Sequence, residues 1–150
     1  MQKILVSSCL LGENVRYDGK QITSLSPLLQ HWQDQQRVIR FCPEVAGGLS
    51  VPRSPAERQE NGEIITLLGV NVTAAFQRGA QQALQLCLQH DIRFAVLKES
   101  SPSCGSQNIY DGSFKNKKIS GQGLTTQLLQ QHHIEVFSEF TLNKLAERLA

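Results

Sequence analysis

Residues 94–105 read FAVLKESSPSCG, and this stretch decides how the fold is predicted. Its first four residues, Phe94 to Leu97, form a short and continuous apolar run, which is typical of a buried strand in a parallel sheet. The remainder holds three serines, a proline, a cysteine and a glycine, which indicates an irregular loop. Cys104 is therefore predicted to lie beyond the carboxyl end of a buried strand, where open α/β sheets bind ligands.

Two further cysteines follow apolar runs of the same kind. Cys9 closes the run that starts at Ile4, and Cys42 closes the run that starts at Val38. If the three strands lie parallel in one sheet, their carboxyl ends share one edge and the three thiols converge there. The fourth cysteine, Cys87, falls on the apolar stripe of a predicted helix, so we interpret it as a core thiol.

The order of the predicted elements indicates the fold class. Strands alternate with helices throughout, so we predict an α/β fold in a single three-layer domain spanning residues 1–150. Its mostly parallel sheet of four or five strands is flanked by helices in a Rossmann-like arrangement. Ser26-Pro27 is a good helix start, and Asn71 can cap a long helix that runs to about His90.

Three shorter segments complete this prediction. The proline- and glycine-rich segment 43–55 is expected to be irregular, and residues 63–68 are expected to form a short strand. A small hairpin is predicted over residues 108–115, because Asp111-Gly112 is a strong turn signal.

Composition and charge exclude several classes of protein. Of the 150 residues, 40% are hydrophobic and 19% are charged, which is ordinary for a globular protein and unlike a disordered one. A net charge of only +2 gives no reason to expect polymeric nucleic acid as a partner. We see no leader peptide and no apolar run long enough for a membrane span, so we expect a cytoplasmic, bacterial protein, either a monomer or a homodimer.

A cytoplasmic location shifts the reading of the thiols towards metal binding or catalysis, because disulfides are rare there. Any one of the three cysteines could simply be a buried residue, but jointly they favour a metal site. No Cys-x-x-Cys pair is present, and the histidines fall on or near predicted helices, so no fourth ligand is evident. Three protein ligands and one open position are typical of catalytic metal sites. The spacing does not distinguish zinc from an iron–sulfur cluster.

Side chains close to the thiols in sequence are candidates for substrate chemistry. Glu44 could serve as a general acid or base, the alternative being a solvated loop carboxylate. The hydroxyls of Ser100, Ser101 and Ser103 could bind a small polar substrate or cap a turn.

Basic residues and one long loop add further candidates. Lys98, Arg53 and Arg16 could offset the charge of a thiolate-bound group, or form exposed salt bridges. The loop from Leu10 to Lys20 is long for a connection between a strand and a helix, which suggests a functional loop, and its Arg16 and Tyr17 are candidate substrate-binding residues.

Four blocks of sequence together resemble a small bacterial family that was long known only as a domain of unknown function and that includes thiouracil desulfidase. The resemblance covers nearly the whole chain. The blocks are Ser8-Cys9-Leu10-Leu11-Gly12 with residues 15–19, Cys42-Pro43-Glu44 with residues 47–53, residues 72–80, and Ser101-Pro102-Ser103-Cys104-Gly105 with residues 109–112.

This resemblance implies an oxygen-sensitive [4Fe-4S] cluster held by Cys9, Cys42 and Cys104, with the fourth iron open to the sulfur of a thiolated nucleobase such as 2-thiouracil. Water would replace the sulfur on the carbon, and the sulfur would leave on the cluster, giving uracil without net redox change. Glu44 and Ser101 match the family's acid/base and substrate-holding pair. Two other classes stay open: a non-catalytic cluster- or zinc-binding regulatory or sulfur-carrier protein, and a metal-free α/β enzyme with a redox-sensitive cysteine.

Overall fold

The computed structural model describes residues 1–12, 17–18 and 26–150. In this part of the chain, four strands form a parallel sheet: β1 (Ile4–Ser7), β2 (Val38–Phe41), β5 (Phe94–Val96) and β8 (Glu135–Phe137). Their order is β2-β1-β5-β8, with every neighbouring pair parallel. The predicted α/β fold with a mostly parallel sheet is confirmed.

Helices cover both faces of this sheet. Because successive residues of a strand point to opposite faces, Ile4 and Val6 of β1 join one apolar cluster and Leu5 joins the other. The first cluster includes residues of α1 (Pro27–Asp34) and α5 (Leu142–Leu149). The second includes residues of α3 (Thr73–Gln89) and α4 (Leu124–Gln131). Each fully buried aliphatic side chain in these layers contributes about 1.5–3 kcal/mol.

The helix starts follow the sequence signals. The Ser26 hydroxyl caps α1 by accepting the Leu28 N–H at 3.2 Å. At α3 the N-cap position belongs to Val72, one residue after the predicted Asn71, and Asn71 Oδ1 accepts the Thr73 N–H at 3.0 Å. Cys87 lies on α3 with 1% of its surface exposed, which confirms it as a core thiol. No helix among the described ranges has the length and apolar character needed to cross a membrane.

The smaller elements differ from the prediction in places. The first strand ends at Ser7, and Cys9 lies in the short 3-10 helix Ser8–Leu11 that follows. Within the segment expected to be irregular, residues Pro43–Ala46 form the short helix α2. Strand β3 (Ala56–Arg58) pairs antiparallel with β4 (Ile64–Thr66), the short strand predicted there.

The predicted hairpin has the wrong extent. Strand β6 (Asn108–Tyr110) pairs antiparallel with β7 (Lys118–Ser120), so the turn spans residues 111–117 and the hairpin does not end at residue 115. All three residues of β7 are exposed, so this strand has no buried apolar run that would mark it in the sequence.

Two glycines let α2 pack directly against α3. A Cβ atom on Gly47 would lie 2.0 Å from the Ala75 carbonyl oxygen, and one on Gly79 would lie 1.8 Å from the Pro43 carbonyl oxygen. The two backbones are therefore in contact, which no larger residue would permit. This contact fixes the short helix that follows Cys42.

Candidate functional site

A cavity of about 470 Å³ lies at the carboxyl ends of β1, β2 and β5. This volume is within the range of small-molecule sites. Cys9, Cys42 and Cys104 all line the cavity, although they stand far apart in sequence. The structure thus brings together the three thiols expected at this edge of the sheet.

Local structure places each of the three thiols. Cys9 lies in the 3-10 helix that Gly12 ends in a left-handed conformation, with φ of 88°. Cys42 immediately precedes α2. Cys104 lies in the loop of residues 97–107 between β5 and β6, the thiol loop. Its backbone N–H is donated to the Ser101 hydroxyl at 2.7 Å, and the Ser7 hydroxyl donates to its Sγ atom at 3.9 Å.

The protein environment keeps these thiols protonated. Burial, the proximity of Cys42 and the charge of Glu44 raise the pKa of Cys9 to about 12. Burial also raises the pKa of Cys42, although the backbone N–H of Val45 acts in the opposite direction. The pKa of Cys104 is raised by burial and by Glu44 and the other two thiols. A metal that takes these ligands as thiolates must therefore release protons.

The donor set fits an iron–sulfur cluster. Among the residues that the structure describes, no group of three or more histidine, cysteine, aspartate or glutamate side chains is placed to hold a single metal ion. The three thiols share one cavity. Thiolates are the ligands that hold iron–sulfur clusters in proteins, so the chemistry of this donor set fits such a cluster.

Glu44 lies in the first turn of α2 and lines the cavity. Its carboxylate pairs with the guanidinium of Arg53, and only 16% of the Glu44 side chain and 9% of the Arg53 side chain are exposed. Arg53 also donates to the Ser50 carbonyl at 3.0 Å. Glu44 is therefore a half-buried carboxylate held in one position beside the thiols, and not a solvated loop residue.

Ser101 is half-buried on the cavity wall. Its Oγ atom accepts the N–H of Ser103 at 3.2 Å and the N–H of Cys104 at 2.7 Å. A serine hydroxyl has two acceptor positions and one proton to donate. Because both acceptor positions are used within the loop, the Ser101 hydroxyl is set up to act as a donor.

The remaining predicted substrate-binding residues are placed differently from one another. Ser100 lines the cavity but donates its hydroxyl to Asn108 Oδ1 at 2.6 Å. Ser103 is fully buried, shares a 2.8 Å hydrogen bond with Thr125 and is not among the lining residues, which favours a structural role. Tyr17 lines the cavity and is 44% exposed. Arg16 lies outside the described residues.

Glu99 organises the thiol loop, a role that the sequence did not reveal. Its carboxylate is 6% exposed and accepts the N–H groups of Ser106 at 2.8 Å and Gln107 at 3.0 Å, and the Ser106 hydroxyl at 2.6 Å. Burial raises the pKa of Glu99, but these hydrogen bonds outweigh burial and lower it overall. The charged carboxylate thus holds together the loop that carries Ser101 and Cys104.

Two other groups reach the cavity: Lys98, which was one of the basic candidates, and the hairpin, whose position was missed. Lys98 forms a 2.7 Å salt bridge with Glu139 and lines the cavity. The hairpin between β6 and β7 adds four lining residues, Tyr110, Phe114, Asn116 and Lys118. The turn signal at residues 111–112 indicated a hairpin, but nothing local in the sequence indicates that this hairpin reaches the thiols.

Comparison with known proteins adds three findings. A model of the 2-thiouracil desulfurase family matches residues 4–141. The uncharacterized protein YbbK of Bacillus subtilis (strain 168) is 39% identical over 151 residues, which cover 95% of this chain and 99% of YbbK. The solved structure of the [4Fe-4S]-dependent thiouracil desulfidase TudS matches with a TM-score of 0.96 and 53% identity, over 99% of this chain and 98% of TudS.

Proposed function

Because the chain belongs to the 2-thiouracil desulfurase family, we propose that it is a [4Fe-4S]-dependent desulfidase that converts a thiolated nucleobase such as 2-thiouracil into the oxo base. TudS, its relative of known structure, is named for both this cluster and this activity. The observation that carries the proposal is the convergence of three buried thiols in one cavity, beside an anchored carboxylate and a serine hydroxyl.

Cys9, Cys42 and Cys104 are the residues that would hold the cluster, and their thiols lose their protons as it binds. When bound, the cluster supplies one iron without a protein ligand, a Lewis acid that takes up the sulfur as it leaves the substrate.

Glu44 acts as the base and then as the acid in this hydrolysis. It takes a proton from the water whose oxygen bonds to the ring carbon. As the oxygen bonds to carbon, the π electrons of the C=S bond move to sulfur, and Glu44 gives its proton to that sulfur. Glu44 then takes the second water proton from the new C–OH group as the C=O bond forms, the remaining carbon–sulfur bond breaks, and sulfur leaves with that electron pair as hydrosulfide. No electron is gained or lost overall. Arg53 keeps the carboxylate beside the cavity throughout, and such proton transfer typically contributes about 10²–10⁴-fold in rate.

Ser101 holds the substrate for this step. Its hydroxyl proton is available because both of its acceptor positions are taken by N–H groups of the thiol loop. The hydroxyl donates to an acceptor atom of the base, and this hydrogen bond orients the ring against Glu44.

Iron and acid-labile sulfide content test the proposal directly, on protein purified without oxygen. The wild type and a Cys87→Ala control should carry about four iron and four sulfide per chain, as one [4Fe-4S] cluster requires. Cys42→Ala should be colourless. If all three proteins remain free of iron after cluster reconstitution, the proposed function is wrong.

A second measurement separates an enzyme from a non-catalytic cluster protein. The cluster-loaded wild type should convert 2-thiouracil to uracil with one sulfide released per base and without added reductant, and isotopically labelled oxygen from water should enter the uracil. Glu44→Gln should retain its iron and lose about 10²–10⁴-fold in kcat. Turnover by Glu44→Gln at the wild-type rate would contradict the assigned role.

A further inference from the structure

The hairpin loop, residues 111–117 between β6 and β7, contributes Phe114 to the cavity wall. We propose that Phe114 is a specificity-determining residue whose ring packs against the flat face of the thiolated base. Glu57 is a positioning residue that holds Phe114 there. This inference rests on the proposed function, because it concerns recognition of the substrate of that reaction.

Aromatic side chains are concentrated around the cavity. Both tyrosines of the chain and three of its six phenylalanines line it: Tyr17, Tyr110, Phe76, Phe114 and Phe140. The proposed substrate is a planar heterocycle with two π faces, and aromatic side chains stack on such faces in many proteins that bind bases. The wall of the cavity therefore matches the shape and electronic character of the substrate.

Of these five rings, four are less suited to contact the substrate. Phe76 is 1% exposed and belongs to the packing beneath the site. The Lys118 ammonium lies 5.5 Å from the centre of the Tyr110 ring and occupies one of its faces. Tyr17 and Phe140 are 44% and 78% exposed, so they lie at the rim. Phe114 is half-buried on the wall, as a stacking residue should be.

The backbone at Phe114 supports a functional role. Its φ is 60°, in the left-handed region that bulky residues rarely adopt, and such strain clusters at functional sites. The Glu57 carboxylate holds this conformation by accepting the N–H of Gly112 at 3.0 Å and the N–H of Phe114 at 3.2 Å. A strained aromatic residue that is tied down beside a cavity is pre-organised to bind a ligand.

The first test compares Phe114→Ala, Phe114→Tyr and a control, Phe140→Ala, which removes the most exposed aromatic residue at the rim. All are prepared with the cluster. For Phe114→Ala we expect the KM for 2-thiouracil and the calorimetric Kd for uracil to rise at least about tenfold, as loss of stacking on one base predicts. The kcat should change less than about twofold, because stacking holds the ground state and the transition state alike.

The control and the conservative variant complete this test. Phe114→Tyr should restore both constants, and Phe140→Ala should change neither by more than about twofold. Iron and sulfide content should equal the wild type in every variant. An unchanged Kd for uracil in Phe114→Ala would overturn the inference, and so would a loss of its cluster, since Phe114 would then support the site and not the substrate.

A double-mutant cycle tests the positioning role of Glu57. Glu57→Ala should raise KM and the Kd for uracil in the same way as Phe114→Ala, and the double variant should be no worse than Phe114→Ala alone, because Glu57 acts through Phe114. Strictly additive effects would overturn this assignment.

The wild type distinguishes a failure of the proposed function from a failure of this inference. A cluster-loaded wild type that does not convert 2-thiouracil would refute the function, and this inference with it. A wild type that turns over, with a Phe114→Ala variant of unchanged KM, would refute this inference alone.

Discussion

The thiol loop and the hairpin loop reach the same cavity, and one carboxylate organises each of them in a different way. Glu99 is 6% exposed and accepts hydrogen bonds from several groups of its own loop. Glu57 is half-buried, belongs to another strand and accepts the N–H groups of Gly112 and Phe114. The thiol loop, which carries the proposed cluster ligand Cys104, is thus held by a carboxylate of its own. The hairpin loop, which we propose contacts the substrate, is held by a carboxylate from a neighbouring strand. Substitutions in the thiol loop should lower kcat and the free energy of unfolding, and substitutions in the hairpin loop should weaken substrate affinity.

The largest expected difference between the two loops is kinetic. Ser101→Ala in the thiol loop removes the hydroxyl that we propose donates to the substrate, and we expect kcat to fall about 10²-fold with iron content retained. Ser113→Ala is the matched change in the hairpin loop, where the exposed hydroxyl donates to Asp111. Its kcat should stay within about twofold of the wild type. Steady-state assays of both variants measure this difference, and equal kcat values would contradict it.

The next difference is in stability. Glu99→Gln places an amide donor among N–H and O–H donors in a buried position, so we expect the free energy of unfolding to fall by about 2–3 kcal/mol. Glu57→Gln keeps an acceptor oxygen in a half-exposed position and should lose less than about 1 kcal/mol. Urea unfolding of both variants and the wild type measures these free energies of unfolding. Equal decreases in the two variants would contradict the distinction between the buried Glu99 and the half-buried Glu57.

Acid should destabilise the thiol loop through Glu99. The pKa of Glu99 is lowered below its ordinary value of 4.5 in the fold, because its hydrogen bonds outweigh burial. The unfolded chain therefore binds that proton more readily than the folded chain. The stability that Glu99 contributes is present above pH 4.5 and is lost as pH falls through its folded pKa, at no more than about 1.4 kcal/mol per pH unit.

Urea unfolding between pH 5.5 and about pH 3 checks this prediction on cluster-free protein, so that acid loss of the cluster does not contribute. The pH dependence should be weaker in Glu99→Gln than in the wild type. A Glu99→Gln variant with the full wild-type slope would assign the acid sensitivity to another group.

The smallest effect concerns one left-handed residue from each loop, Ser100 with φ of 74° and Phe114 with φ of 60°. At both positions the glycine variant should be more stable than the alanine variant by about 1 kcal/mol, because only glycine adopts this backbone without strain. In helices and strands the alanine variant is usually the more stable one. Thermal unfolding of the four variants tests this. Only the changes at Phe114 should also raise the KM for 2-thiouracil. A raised KM in the Ser100 variants would contradict the assignment of substrate affinity to the hairpin loop.

The sequence was informative where structure depends on local pattern. Short apolar runs marked the strands of the central sheet, and the shared carboxyl edge of parallel strands then placed Cys9, Cys42 and Cys104 together. Strands β3 and β7 were not predicted, because they have only three residues each, lie outside that sheet and contribute no buried apolar run; β3 is half-buried and β7 is exposed. The hydrogen bond between the Glu57 carboxylate and the Phe114 N–H was not predicted for another reason. It joins residues 57 positions apart through a side-chain contact that no local pattern encodes.

The topology of the sheet also sets the time at which the site can exist in a growing chain. Cys9, Cys42 and Cys104 meet only where β1 has paired with both β2 and β5. A nascent chain that ends before residue 104 lacks one of the three thiols. Strand β5 also pairs with β1 across a large separation in sequence, and such long-range parallel pairing is slow. Iron and sulfide delivered before residue 104 has been added would find at most two of these three thiols. Maturation of this protein is therefore a step that follows the folding of its sheet.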